Sequence, residues 1–203
     1  MKSRITALLI LIFLLPGCAN LPDQQSSKTG LTFTSISVNE DVTFTSHLTY
    51  DGPETFSSLG LLGALTSENE RNSTAYRIEE HMKKNNIDVG KVIRNTFITE
   101  LNKKGLYTAS NISDYKLQLA VLTYGLSIPH GFSTELVPVL SVQATIKDNN
   151  NQAVWKGGKR LLPSPLSPVK SRSLAELLTN NDSFISLWQE AARHIASNSI
   201  GKL

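Results

Sequence analysis

From Tyr115 to Val121 the chain alternates: Tyr115, Leu117, Leu119 and Val121 fall on one side, Lys116, Gln118 and Ala120 on the other. Period two is the spacing of a half-buried strand, so "DYKLQLAVLTYGLS" predicts a long one. "VPVLSVQATIK" and "AVWKGGKRL" repeat the pattern around "DNNN", whose Asp and Asn residues tolerate the positive φ angles of a hairpin turn. Three strands in antiparallel meander follow. Upstream, "LTFTSISV" and "VTFTSHLTY" read as two more, joined by a tight turn at "NED". In the second, Val42, Phe44, Leu48 and Tyr50 share one face and Thr43, Thr45, His47 and Thr49 the other.

The spacing changes to three and four at Val89, Val92, Ile93, Thr96, Phe97, Glu100 and Leu101, which predicts a helix over 89–104. Asp88 is placed to cap its start, Lys103 and Lys104 suit the negative end of the helix dipole, and Gly105 suits the left-handed closing position. A weaker stripe at Tyr76, Ile78 and Met82 predicts a helix over about 73–85. Phe184, Leu187, Trp188, Ala191, Ala192 and Ile195 predict a C-terminal helix capped by Asp182 or Ser183, with one face on the sheet. Its polar face, with Gln189, Glu190 and Arg193, suits water better than anionic lipid. "PSPLSPVKS" cannot continue a ladder because its prolines lack donors, so it reads as a connector leading to a short helix near "SLAELL". The order of elements predicts an α+β domain, an antiparallel sheet of about five strands with helices packed on one face.

One apolar run fits neither period. Ile5 to Leu15 is 11 residues, and a helix of that length reaches roughly 16 Å against a hydrocarbon core of about 30 Å. The run is too short to span. Lys2 and Arg4 precede it, and Pro16 and Gly17 break it, which is the layout of a secretory signal peptide. The stretch "LLPGC" then resembles the lipobox of bacterial lipoproteins, with Leu15 three residues before the cysteine, Gly17 immediately before it, and Pro16 where the family more often has Ala, Ser, Thr or Val. That resemblance implies removal of residues 1–17 and diacylation of Cys18, which becomes the new amino terminus. It also implies attachment to a membrane through acyl chains. Ala19, where lipoproteins retained at the inner membrane carry Asp, implies the periplasmic face of the outer membrane. Residues 18–30 read as the lipidated cysteine and a flexible, unpaired tether, and residues 31–203 as a single periplasmic domain.

Without residues 1–17 the chain has 186 residues and 18 basic against 17 acidic side chains. A balance of +1 implies no nucleic acid or other polyanion as partner. Cys18 is the one cysteine, so the body has no intramolecular disulfide and no cysteine metal site. Packing has to supply its stability.

"FSSLGLLGAL" is the least conventional part of the body. Leu59, Gly60, Leu62 and Gly63 are candidates for an apolar ligand site or an interface, since glycines allow close approach, against the plainer reading of a short helix or loop on the sheet. His47, His81, His130 and His194 lack the spacing of a metal motif. Neither a G-x-S-x-G elbow, an S-x-x-K pair nor a P-loop occurs, and "GFST" beside His130 lacks an oxyanion context. Glu79 and Glu80 beside His81 occupy consecutive helical positions and read as a solvated face. No enzyme, no cofactor and no metal are expected. Residues 88–160, from the capped helix to the hairpin, resemble in pattern small envelope lipoproteins such as transport-auxiliary and curli-secretion-type lipoproteins.

Two functions fit these observations. One is a non-catalytic interaction or accessory module, confined by its anchor near an envelope protein partner. The other is binding or transfer of lipid or another apolar ligand, which needs an enclosed apolar pocket.

Overall fold

The computed structural model describes residues 26–27, 32–53, 68–110, 113–201 and 203. Strands are β1 (Ser26–Ser27), β2 (Ile36–Phe44), β3 (Leu48–Asp51), β4 (Tyr115–Ser127), β5 (Glu135–Asp148), β6 (Ala153–Leu161) and β7 (Arg172–Ser173). Helices are α1 (Glu68–Lys84), α2 (Val89–Lys103), α3 (Leu174–Thr179) and α4 (Asn181–Ile200). The sheet runs β1-β6-β5-β4-β2, with β3 also on β4 and β7 on β5. It is mixed and mostly antiparallel, with the helices packed against it, so the α+β reading holds.

Strands β4, β5 and β6 form the expected antiparallel meander. At its second turn Asp148 Oδ1 accepts from the backbone N–H groups of Asn150 and Gln152, both at 2.9 Å, and Asn151 takes φ 60°. Helix α2 also forms as the sequence requires. Asp88 Oδ1 accepts from Lys91 N–H at 2.9 Å, and Gly105 closes the helix at φ 68°, where a Cβ would be strained.

Helix α4 starts two to three residues earlier than its pattern suggests. Asn180, rather than Asp182 or Ser183, is the cap, accepting from Ser183 N–H at 3.0 Å. Asp182 falls instead in the first turn, where a negative charge favours the helix dipole. Its whole predicted stripe, Phe184 to Ile195, is fully buried. Among the described side chains of α1 the buried ones are Thr74, Ala75, Ile78 and Met82, and Tyr76 points outward.

The tight turn expected at "NED" does not form. Asn39, Glu40 and Asp41 lie inside β2, and both β2 and β3 run parallel to β4. Val38 is opposite Leu117 and Val42 opposite Leu119, so four steps on one strand match two on the other. The polar triplet is therefore a bulge. Arg94 of α2 holds it, donating from Nε to Asn39 O at 2.8 Å. Parallel pairing becomes possible because the chain returns from β3 to β4 through α1 and α2, long enough for a crossover. Gly125 lets β3 come close, since a Cβ there would lie 2.3 Å from Thr49 O.

Within the stretch read as a tether, Ser26 and Ser27 add an antiparallel pair to β6, Ser26 opposite Lys156 and Ser27 opposite Trp155.

The core lies between one sheet face and the helices. Leu117, Leu119 and Val121 of β4 and Leu140, Val142, Ala144 and Ile146 of β5 meet Ile93, Phe97 and Leu101 of α2 and the stripe of α4. On the other face Thr43, Gln118, Ala120, Gln143 and Thr145 border a shallow hollow of about 460 Å³, and no described element covers it. One-sided burial of alternating strands produces this arrangement.

Candidate functional site

Cys18, Leu59, Gly60, Leu62 and Gly63 lie outside the described residues. The chain leaves β3 toward the last four of them at Asp51–Pro53. There Ile128 N–H donates to Asp51 O at 2.9 Å and the Tyr50 hydroxyl to Pro53 O at 2.7 Å.

A cleft of about 490 Å³ opens between the C-terminal end of α1, the start of α2 and the end of β2. Phe44 and Tyr124 form its apolar floor, edge to face at 5.0 Å between ring centres. Glu79 sits at the side, and Lys83 and Lys91 line it with Asp88. Glu79 is not part of a solvated face. It is half-buried, and its Oε1 accepts from Leu48 N–H at 3.0 Å and from the Tyr124 hydroxyl at 3.3 Å, while Glu80 remains exposed. Burial and the Glu79 carboxylate push the Tyr124 phenol up to about 12. It stays protonated and acts as a donor. The sequence did carry one signal, since Glu79 follows the buried Ile78 and precedes the buried Met82 by three residues, at the border of the apolar stripe.

Such a cleft offers an aromatic floor, a fixed carboxylate and two flexible cations, open to solvent. Among the described residues no three His, Cys, Asp or Glu side chains are grouped to hold a metal ion, and no described helix is long and apolar enough to cross a membrane.

The bare sheet face is the second surface. Lys116 and Lys147 are opposed across β4 and β5, Lys156 is opposite Thr145, and Arg160 is opposite Ser141. These four cations fringe the amides and hydroxyls of the hollow. Asp41 lines it on the β2 side.

A third cluster closes the end of the sheet where β7 meets β5. The Arg172 guanidinium donates from Nη2 to Glu190 Oε1 at 2.8 Å and from Nη1 to Lys170 O at 3.1 Å. Burial pushes the Glu190 carboxyl up, but Arg172, the Lys170 N–H and Ser186 outweigh it and hold the carboxyl below its ordinary value. A carboxyl depressed in the folded state takes up protons less readily than in the unfolded chain. Its stabilisation is therefore complete above about 4.5 and is lost as pH falls through the folded value. Urea unfolding at successively lower pH should show the native protein losing its advantage over Glu190→Gln in acid; parallel pH profiles would exclude this ion pair as a source of acid lability.

No protein-family model and no curated protein matches the chain. Solved structures resemble it at a distance. The PelC dodecamer of Paraburkholderia phytofirmans aligns at 13% identity over 86% of this chain and 91% of that one, with a TM-score of 0.39. Lipoprotein GNA1162 of Neisseria meningitidis aligns at 21% identity over 75% and 95%, with a TM-score of 0.26. Protein XCC0632 of Xanthomonas campestris aligns at 12% identity over 54% and 57%, with a TM-score of 0.36. What this chain shares with PelC and small lipoproteins is a distant structural likeness, without a family at the level of sequence.

Proposed function

We propose that this protein is an envelope lipoprotein, anchored through acyl chains on Cys18 at the periplasmic face of the outer membrane. Its body serves as a non-catalytic interaction module of an envelope complex. The observation that carries this reading is the uncovered sheet face. Strands β4, β5 and β6 bury one side in the core and offer on the other a flat field of Gln118, Gln143, Thr145 and the surrounding cations. Such a face suits a protein surface with acidic and amide groups. A carrier of lipid needs an enclosed apolar volume. Here Phe97, Trp155, Phe184 and Trp188 fill the core, and the Phe44–Tyr124 cleft is open and edged with charge.

The test is a photo-crosslinking residue placed at Gln143, and separately at Gln118, in the full-length protein in cells. A discrete protein adduct from both positions, competed away when Thr145 is replaced by a bulky aromatic, is the expected result. Absence of protein adducts from this face, with stoichiometric lipid retained by the purified protein, would establish lipid or apolar-ligand transfer in its place.

A further inference from the structure

Two large apolar side chains stand almost wholly in solvent, Phe132 at 96% exposure and Leu166 at 91%. A scattered exposed hydrophobe needs no explanation. These two share a construction. Phe132 lies at the third position of a turn closed by Ser133 N–H donating to His130 O at 3.0 Å, and Leu166 at the third position of a turn closed by Ser167 N–H donating to Ser164 O at 3.0 Å. Each loop is fastened at its base. Ser133 Oγ donates to Glu135 O and accepts from Glu135 N–H, both at 3.0 Å. On the other loop, Val169 is buried and Arg172 grips Lys170 O and Glu190. A mobile loop could fold its leucine or phenylalanine back onto the protein, whereas these turns hold them out.

The topology puts both tips at one end. Residues 128–134 join β4 to β5 beyond the Ser127–Val137 pair, and residues 162–171 return from β6 to β7, which pairs with Glu135 and Leu136 at the start of β5. The described start of the chain opens toward the same end. Because β1 is antiparallel to β6, the Ser26 end of β1 faces the Leu161 end of β6. Ser26 is level with Lys156 and Thr145, eight residues along β5 from Val137 at the base of the Phe132 loop. Cys18 is also eight residues from Ser26. Eight residues reach at most about 26–29 Å, enough for an anchor at Cys18 to hold the base of both loops against a membrane.

We infer that this end of the domain rests on the membrane that holds the anchor, with Phe132 and Leu166 inserted at the level of the lipid headgroups and Lys170 beside them facing anionic lipid. The inference rests on the lipoprotein reading of Cys18. It adds an orientation: the bare sheet face stands roughly upright from the lipid surface, accessible to a partner alongside. Apolar tips with a flanking cation are the chemistry of interfacial binding.

The probe is the full-length acylated protein on vesicles of phosphatidylethanolamine and phosphatidylglycerol, carrying an environment-sensitive fluorophore on Phe132→Cys. Leu166→Cys serves in a second sample, and Asn150→Cys, on the turn at the opposite end of the sheet, in a third. Acylation consumes the Cys18 thiol, so the introduced thiol takes the label. Quenching by spin-labelled lipid chains is expected to be at least about threefold stronger at 132 and 166 than at 150. Adding Phe132→Ser should weaken quenching at 166, which the fluorophore's own affinity for lipid would not explain. Equal, weak quenching at all three sites on protein that floats with vesicles and carries acylated Cys18 by mass would overturn the docking and leave the anchor intact. Protein that fails to float and has unmodified Cys18 would overturn the anchor reading, and the orientation with it.

Discussion

Replacing Cys18 by alanine is expected to abolish acylation and release the protein from membranes, either as uncleaved precursor or as soluble body. The effect should be all or none. One acyl chain contributes about 0.8 kcal/mol per buried methylene and gives only reversible binding, while two or three hold a protein for its lifetime. Nothing else described can replace them. Phe132 and Leu166 would contribute at most about 1.5–3 kcal/mol each on insertion, comparable to weak, reversible attachment. Palmitate labelling and fractionation of the variant measure this directly. A variant that still labels and still sediments with membranes would refute both the assignment of Cys18 and the envelope address derived from it. Loss of membrane attachment at unchanged secondary structure would place the whole effect at the anchor.

Trp188→Ala should be the most damaging substitution in the body, lowering the free energy of unfolding by about 3–5 kcal/mol. A domain of this size has about 5–15 kcal/mol in total, so the variant stands near the folding threshold. Trp188 is fully buried at the centre of the α4 face, with the Phe184 ring centre 6.4 Å away and that of Tyr124 6.1 Å away. Its loss would leave a void that α4 and the sheet can only partly close. The indole N–H has no hydrogen-bond partner among the described residues, which makes Trp188→Phe informative. That change keeps most of the ring and removes an unpaired donor, so its cost should stay below about 1.5 kcal/mol. Urea unfolding followed by circular dichroism gives both numbers. Equal destabilisation by the two variants would mean that the N–H is paired in the folded protein.

These two residues also differ in how they could be recognised. The proposal for Cys18 rests on its neighbours in the chain, because a signal peptidase would read an extended local segment. Trp188 is identified by a stripe at helical spacing, because one face of a helix has to be covered. Glu79 was harder to read. Its neighbours in sequence are Glu80 and His81, and only the arrival of Leu48 and Tyr124 from distant strands turns it into a buried acceptor.

The sequence by itself determined what depends on nearby residues: the cap and glycine stop of α2, the "DNNN" hairpin, and which face of α4 is buried. The first two are stabilised within one or two turns of chain, and the third follows from helical spacing. Tertiary structure alone decided the rest. "LTFTSISV" and "VTFTSHLTY" carry a pattern equally suited to a hairpin or to two parallel strands, since alternation fixes the face and leaves the partner open. The choice fell to β4, already paired with β5, which offered a free edge, and to Arg94, which stabilises the "NED" bulge from another element. In the same way the loops bearing Phe132 and Leu166 lie far apart in sequence, and only the strand order brings them to one end of the sheet, because pairing along β5 fixes where every connecting loop must emerge.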